Sequence, residues 1–191
     1  MFNFKTFIHL IKLSLYLNRK LILWLMISFG LLFLFAPLFS IPLFVGGALI
    51  SSAAFREVHD PEMSIQYLSL PTSSLTRYLS VWALTGPLYL ILISGLYGVS
   101  ILAHLFAGTF WGFPTPRDLL WTAGEYLIVN AIFLLGSIHF KKLPLLKTLL
   151  GLLLVGLALV NLPELRNIAW IAFGLVAWWG AYHQLQKSEL R

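Results

Sequence analysis

The side chains able to do chemistry in this sequence are few and far apart. The 5 histidines, His9, His59, His104, His139 and His183, share no catalytic or metal-binding spacing with one another or with the 7 acidic residues. Neither H-E-x-x-H nor G-x-S-x-G occurs, so the zinc-protease helix and the nucleophile elbow are both missing. No G-x-x-x-x-G-K-[ST] loop is present either, which excludes ATP hydrolysis by that mechanism within this chain. With 0 cysteines there is no disulfide, no thiolate nucleophile and no cysteine metal cluster. The expectation is a protein with no catalytic residue and no metal or cofactor of its own. His139 and His183, at the same ends of two apolar segments, have the chemistry of paired haem ligands. The plainer reading is two imidazoles beside lipid headgroups.

Glu125 is the charge that stands out, in the apolar run WTAGEYLIVNAIF. An ionisable group inside a spanning helix is costly unless it meets protein or water. It is the candidate contact for a substrate or a proton in a transport pathway; the alternative is an outer-interface carboxylate paired with Arg117 or reaching water. A lipid-directed acid–base pair would need a histidine at the same depth, and His104 is the one available. Asn130, five residues on, falls on another side of the helix and suits a hydrogen bond between helices.

The elements that position these groups must be membrane helices. Of 191 residues, 59% are apolar, 15% aromatic and 10% charged, whereas about a quarter of a soluble domain is charged. At roughly 20 residues per span the chain holds six spans and little more. The expected fold is all-α, a polytopic membrane protein forming one transmembrane domain over residues 1–191. Residues 1–20 carry Lys5, His9 and Lys12 on one stripe of an otherwise apolar helix, the pattern of an interfacial helix. No small-x-small cleavage site follows before Pro37, which disfavours a signal peptide. Residues 21–55 contain Pro37 and Pro42 near their middle and read as a hairpin of two short spans. In its second helix, Gly47 with Ser51 and Ala48 with Ser52 offer flat surfaces for close packing. Further spans are expected at about residues 80–106, 119–139, 143–160 and 168–183. Gly86-Pro87 marks a bend or rigid kink in the third span, and Asp118 caps the fourth. Trp24, Trp82, Trp178 and Trp179 fall toward one face, and Trp111, Trp121 and Trp170 toward the other, as aromatic belts.

Charge decides the topology. Six spans with both termini in the cytoplasm put all but two of the 13 Lys and Arg residues inside, leaving Arg117 and Arg166 outside. Treating residues 21–55 as one span splits the same charges almost evenly. The net charge of +6 is thus a topology signal rather than a sign of nucleic-acid binding. On this arrangement residues 56–79 form a cytoplasmic loop. Within it, Asp60-Pro61-Glu62 reads as a cap, a first-turn proline and a first-turn acid, predicting a short helix to about Leu68 that Pro71 ends. Thr72 or Ser73 caps the next helix, which continues through Leu75, Tyr78 and Leu79 into the third span. Glu57, His59, Asp60, Glu62, Gln66 and Tyr67 would present a docking surface to a cytoplasmic protein.

That acidic short helix, the segment Leu68-Ser69-Leu70-Pro71-Thr72-Ser73 and the basic Arg77 opening the third span resemble bacterial ABC-type exporter permeases of the type-2 class. The resemblance extends to the interfacial helix, six spans and cytoplasmic termini. It departs at Thr72 and at Leu75-Thr76-Arg77, where relatives have an alanine and an acid before the base. It implies a bacterial cytoplasmic-membrane permease that dimerises, with itself or a homologous chain, and docks two ATP-binding cassette subunits on its loop. ATP and Mg would be bound by those subunits. The rival reading is a membrane anchor or scaffold subunit of a larger complex, haem-bearing in one version.

Overall fold

The computed structural model describes residues 4–35, 38–55, 73–108, 114–140, 142–160 and 166–189, and among these the regular structure is entirely helical. In chain order the helices are α1 (Phe4–Leu17), α2 (Arg19–Phe35), α3 (Ser40–Ala53), α4 (Ser74–Phe106), α5 (Pro116–His139), α6 (Pro144–Val160) and α7 (Arg166–Glu189). Each boundary has a local cause. At Asn18 the chain turns by 68° between α1 and α2. There the Asn18 amide Nδ2 donates to the Ser14 carbonyl (3.1 Å), and the Arg19 guanidinium sits 4.4 Å from the centre of the Tyr16 ring. Ser73 caps α4 by accepting the Thr76 amide hydrogen. Thr115 caps α5 in a reciprocal box: its hydroxyl accepts from the Asp118 amide (3.2 Å) while Asp118 accepts from the Thr115 amide (3.1 Å). Asp118 is therefore the third residue of the helix and not its cap, because Pro116 already occupies the first helical position.

Two helices, α2 and α3, lie in the expected hairpin region 21–55, and α4 to α7 cover the stretches expected as later spans, with α4, α5 and α7 extending beyond them. α4 and α5 are each long and apolar enough to cross a membrane, and α1 with α2 would qualify together as one bent pair. α3, with 14 residues, is roughly 21 Å long and falls short of a 30 Å hydrocarbon layer. Apolar side chains stand exposed along whole helix faces, among them Leu23, Ile27 and Leu31 on α2 and Leu146, Leu150 and Leu153 on α6. A helical protein with such faces fits a lipid solvent rather than water.

α5 is the central helix. It packs on α7, α3, α6 and the middle of α4, and its second half, from Asn130 through Leu134 and again from Gly136 to Ile138, is buried on every side. Two apolar clusters flank it. One joins Phe29 and Phe33 of α2, Leu43 and Ile50 of α3, Tyr89, Ile93 and Tyr97 of α4, and Tyr126 of α5. The other joins Tyr78 and Val81 of α4, Leu134 and Ile138 of α5, and Ala181 and Leu185 of α7. On α1, Lys5, His9 and Lys12 lie exposed as one stripe while Leu10 and Ser14 are buried, and the helix packs on the first turns of α4.

Candidate functional site

Two places in the bundle have more chemistry than packing requires. The first lies where α4 passes between α3 and α5. Pro87 cannot donate to the helical ladder, and the helix widens there into a π-turn over Leu84–Leu88. Polar groups from three helices gather around it. The Tyr126 hydroxyl donates to the Thr85 carbonyl, the Thr85 hydroxyl donates back to the Val81 carbonyl (3.0 Å), and the Tyr89 hydroxyl donates to the Pro42 carbonyl of α3 (2.6 Å). One turn deeper, the Ser51 hydroxyl donates to Asn130 Oδ1 at 2.5 Å, the interhelical bond expected of Asn130. Its Nδ2 faces Gly86 and has no partner among the described residues.

Glycine makes the close approaches. A Cβ on Gly46 would strike the Tyr89 hydroxyl, and one on Gly47 would strike the Tyr126 ring. The packing face of α3 is therefore Gly46, Gly47, Ile50 and Ser51. Ala48 and Ser52, expected to share in it, are half-buried and lie to one side, because neighbours at one helical step point about 100° apart. Tyr89, Tyr126 and Thr85 are not legible as a group from spacing. The signal they carry is two tyrosines well inside apolar helices rather than at their ends, together with a proline that must be accommodated.

The second place is a groove of about 480 Å³ between α5 and α7, with Phe44 of α3 at its side. Glu125 lines it beside Trp121, Trp170 and Ile171. Glu125 is exposed, and its carboxylate accepts a hydrogen bond from Trp121 Nε1 at 2.9 Å. Its partner is thus the indole one turn back, rather than Arg117. His104 does not join it: the ring is buried, with Nε2 3.2 Å from the Phe33 carbonyl, which also accepts from the Ser100 hydroxyl (2.8 Å). Four residues after Phe33 comes Pro37, which has no N–H to offer. Ser100 and His104 replace that missing donor and close the end of α2.

His139 and His183 are both exposed. The His139 ring lies edge-on to Phe140 (5.0 Å between centres), and His183 lies against Trp179 (5.2 Å) with Nδ1 3.4 Å from Gln186 Oε1. Each is occupied with neighbours on or next to its own helix. Among the described residues no three His, Asp or Glu side chains converge as a metal site. The residues expected to dock a partner, Glu57, His59, Asp60, Glu62, Gln66 and Tyr67, lie outside the described residues, as do the short helix expected up to Leu68 and Trp111. Arg77, which follows that loop, is 3% exposed at the start of α4. No protein-family model, curated protein or solved structure matches this chain.

Proposed function

We propose that this chain is the membrane-spanning permease subunit of an ATP-driven exporter of the ABC type-2 class. It would cross the bacterial cytoplasmic membrane six times with both termini inside. The observation that carries the reading is α4, a single helix that begins at the Ser73 cap, directly after the segment expected to dock, and runs to Phe106 through the polar π-turn. Such a helix is a lever from a cytoplasmic docking loop to the middle of the bundle. A push arriving at Ser73 would reach the Thr85–Tyr126 and Tyr89–Pro42 bonds along one helix. α1 packs against the start of that lever. ATP and Mg belong to the partner ATPase, and alternating access would arise between two permease copies as the ATPase pair closes.

Co-purification tests this. Reversing the charge of Glu57 and Glu62 together, or introducing Ser64→Pro, is expected to abolish recovery of a P-loop ATPase with the tagged chain while membrane insertion stays normal. Recovery of redox or other membrane subunits with the unaltered chain, and no ATPase, would favour the anchor reading instead.

A further inference from the structure

The groove beside Glu125 has the makings of a ligand site. Its volume of about 480 Å³ lies in the range of small-molecule pockets. Phe44, Ile128 and Ile171 give it apolar walls, and Trp121 and Trp170 add two indole rings. Against those walls stands one carboxylate, and the described residues lining the groove include no Lys, Arg or His. Trp121 donates to Oε1, but an ionised carboxylate has about four acceptor sites, so most of its capacity is left open. It also lies nine residues past Pro116 on a helix apolar enough to span a membrane, where an uncompensated charge is costly. A carboxylate flanked by indoles in an apolar groove is complementary to an organic cation. A zwitterionic lipid headgroup fits less well, because its phosphate would come with no basic group among those lining residues to receive it.

We infer that this groove binds a lipophilic monovalent cation, its charge against Glu125 and its apolar body against Phe44, Ile128 and Ile171. As the substrate class of an exporter the assignment rests on the permease reading; as a binding site it does not, and it is tested without any ATPase. The purified chain in phosphatidylcholine nanodiscs is titrated with tritiated tetraphenylphosphonium, empty nanodiscs providing the baseline. Saturable binding is expected, weakened about tenfold or more, roughly 1.4 kcal/mol, by Glu125→Gln. Ile171→Trp, which fills the groove at an exposed position, is expected to weaken it as well. Tetraphenylborate, the anion of the same shape, should not compete. Absence of saturable binding by the monodisperse protein, equal binding by Glu125→Gln, or equal competition by the borate would each overturn the assignment. Failure to recover an ATPase with the unaltered chain, with cation binding intact, would count against the permease reading alone.

Discussion

Tyr126 shows how one residue can tie three helices together. Its ring lies on Gly47 of α3, its hydroxyl reaches the π-turn of α4, and its backbone belongs to α5. The hydroxyl is the smaller part of its contribution, since hydrogen bonds between membrane helices are worth about 0.6 kcal/mol on average and at most roughly 1.7. Overpacking a close contact costs about 1–3 kcal/mol, because a dense interior has nowhere to put an added methyl group. Gly47→Ala is therefore expected to destabilise the protein more than Tyr126→Phe does. Combining Gly47→Ala with Tyr126→Leu should recover part of the loss, since the leucine lacks the ring atoms that the new Cβ meets. Thermal unfolding in a mild detergent measures all of these. A neutral Gly47→Ala would show that α3 and α5 are not in such close contact.

The π-turn in α4 is a property of the element rather than of Pro87 alone. Its hydrogen bonds close from i to i+5 instead of i to i+4, so it takes up one residue more than an α-turn. Deleting Leu88 should then restore the α-helical register on either side of Pro87, which stays as a kink, with Tyr89 still near Pro42 of α3. Deleting Ile93, outside the turn, rotates everything after it by roughly 100° and carries Tyr97, Ser100 and His104 off α2. The Leu88 deletion is expected to yield a monodisperse protein on size-exclusion chromatography and the Ile93 deletion an aggregate. Equal damage from both would reject this account of the turn. Most helix limits among the described residues, from α1 to α7, were legible in the sequence because apolar runs and capping residues are local signals. Neither the contact face of α3 nor the role of His104 was legible. Gly46 answers a tyrosine 43 positions later, whose hydroxyl a Cβ there would strike, and His104 answers the Phe33 carbonyl of α2, 71 positions earlier. Glu125 was legible as a charge in an apolar run. Its groove was not, since Phe44, Trp170 and Ile171 arrive from two other helices.

At the scale of the whole molecule, the charges and the helix order make one joint statement about orientation. α1, the starts of α2 and α4, the region from the α5–α6 connection into α6 and the end of α7 carry most of the Lys and Arg residues, while the first turns of α5 and α7 hold Arg117 and Arg166. If short basic segments stay in the cytoplasm, the ends of α5 and α7 bearing His139 and His183 share one side of the membrane, and the Thr115 cap lies on the other. The tyrosine-laden π-turn would then sit between the inner surface and the Glu125 groove, so on the proposed permease reading a stroke entering at Ser73 would meet the polar junction first and the groove after it. The absence of cysteine allows a direct test by single substitutions at exposed positions. In intact cells a membrane-impermeant maleimide is expected to label Arg117→Cys and to leave Lys12→Cys, Lys142→Cys and Lys187→Cys unmodified until the cells are permeabilised. Labelling of Lys142→Cys in intact cells would invert α5. The lever from a cytoplasmic loop to the groove would then have to be abandoned, whatever the cation titration shows.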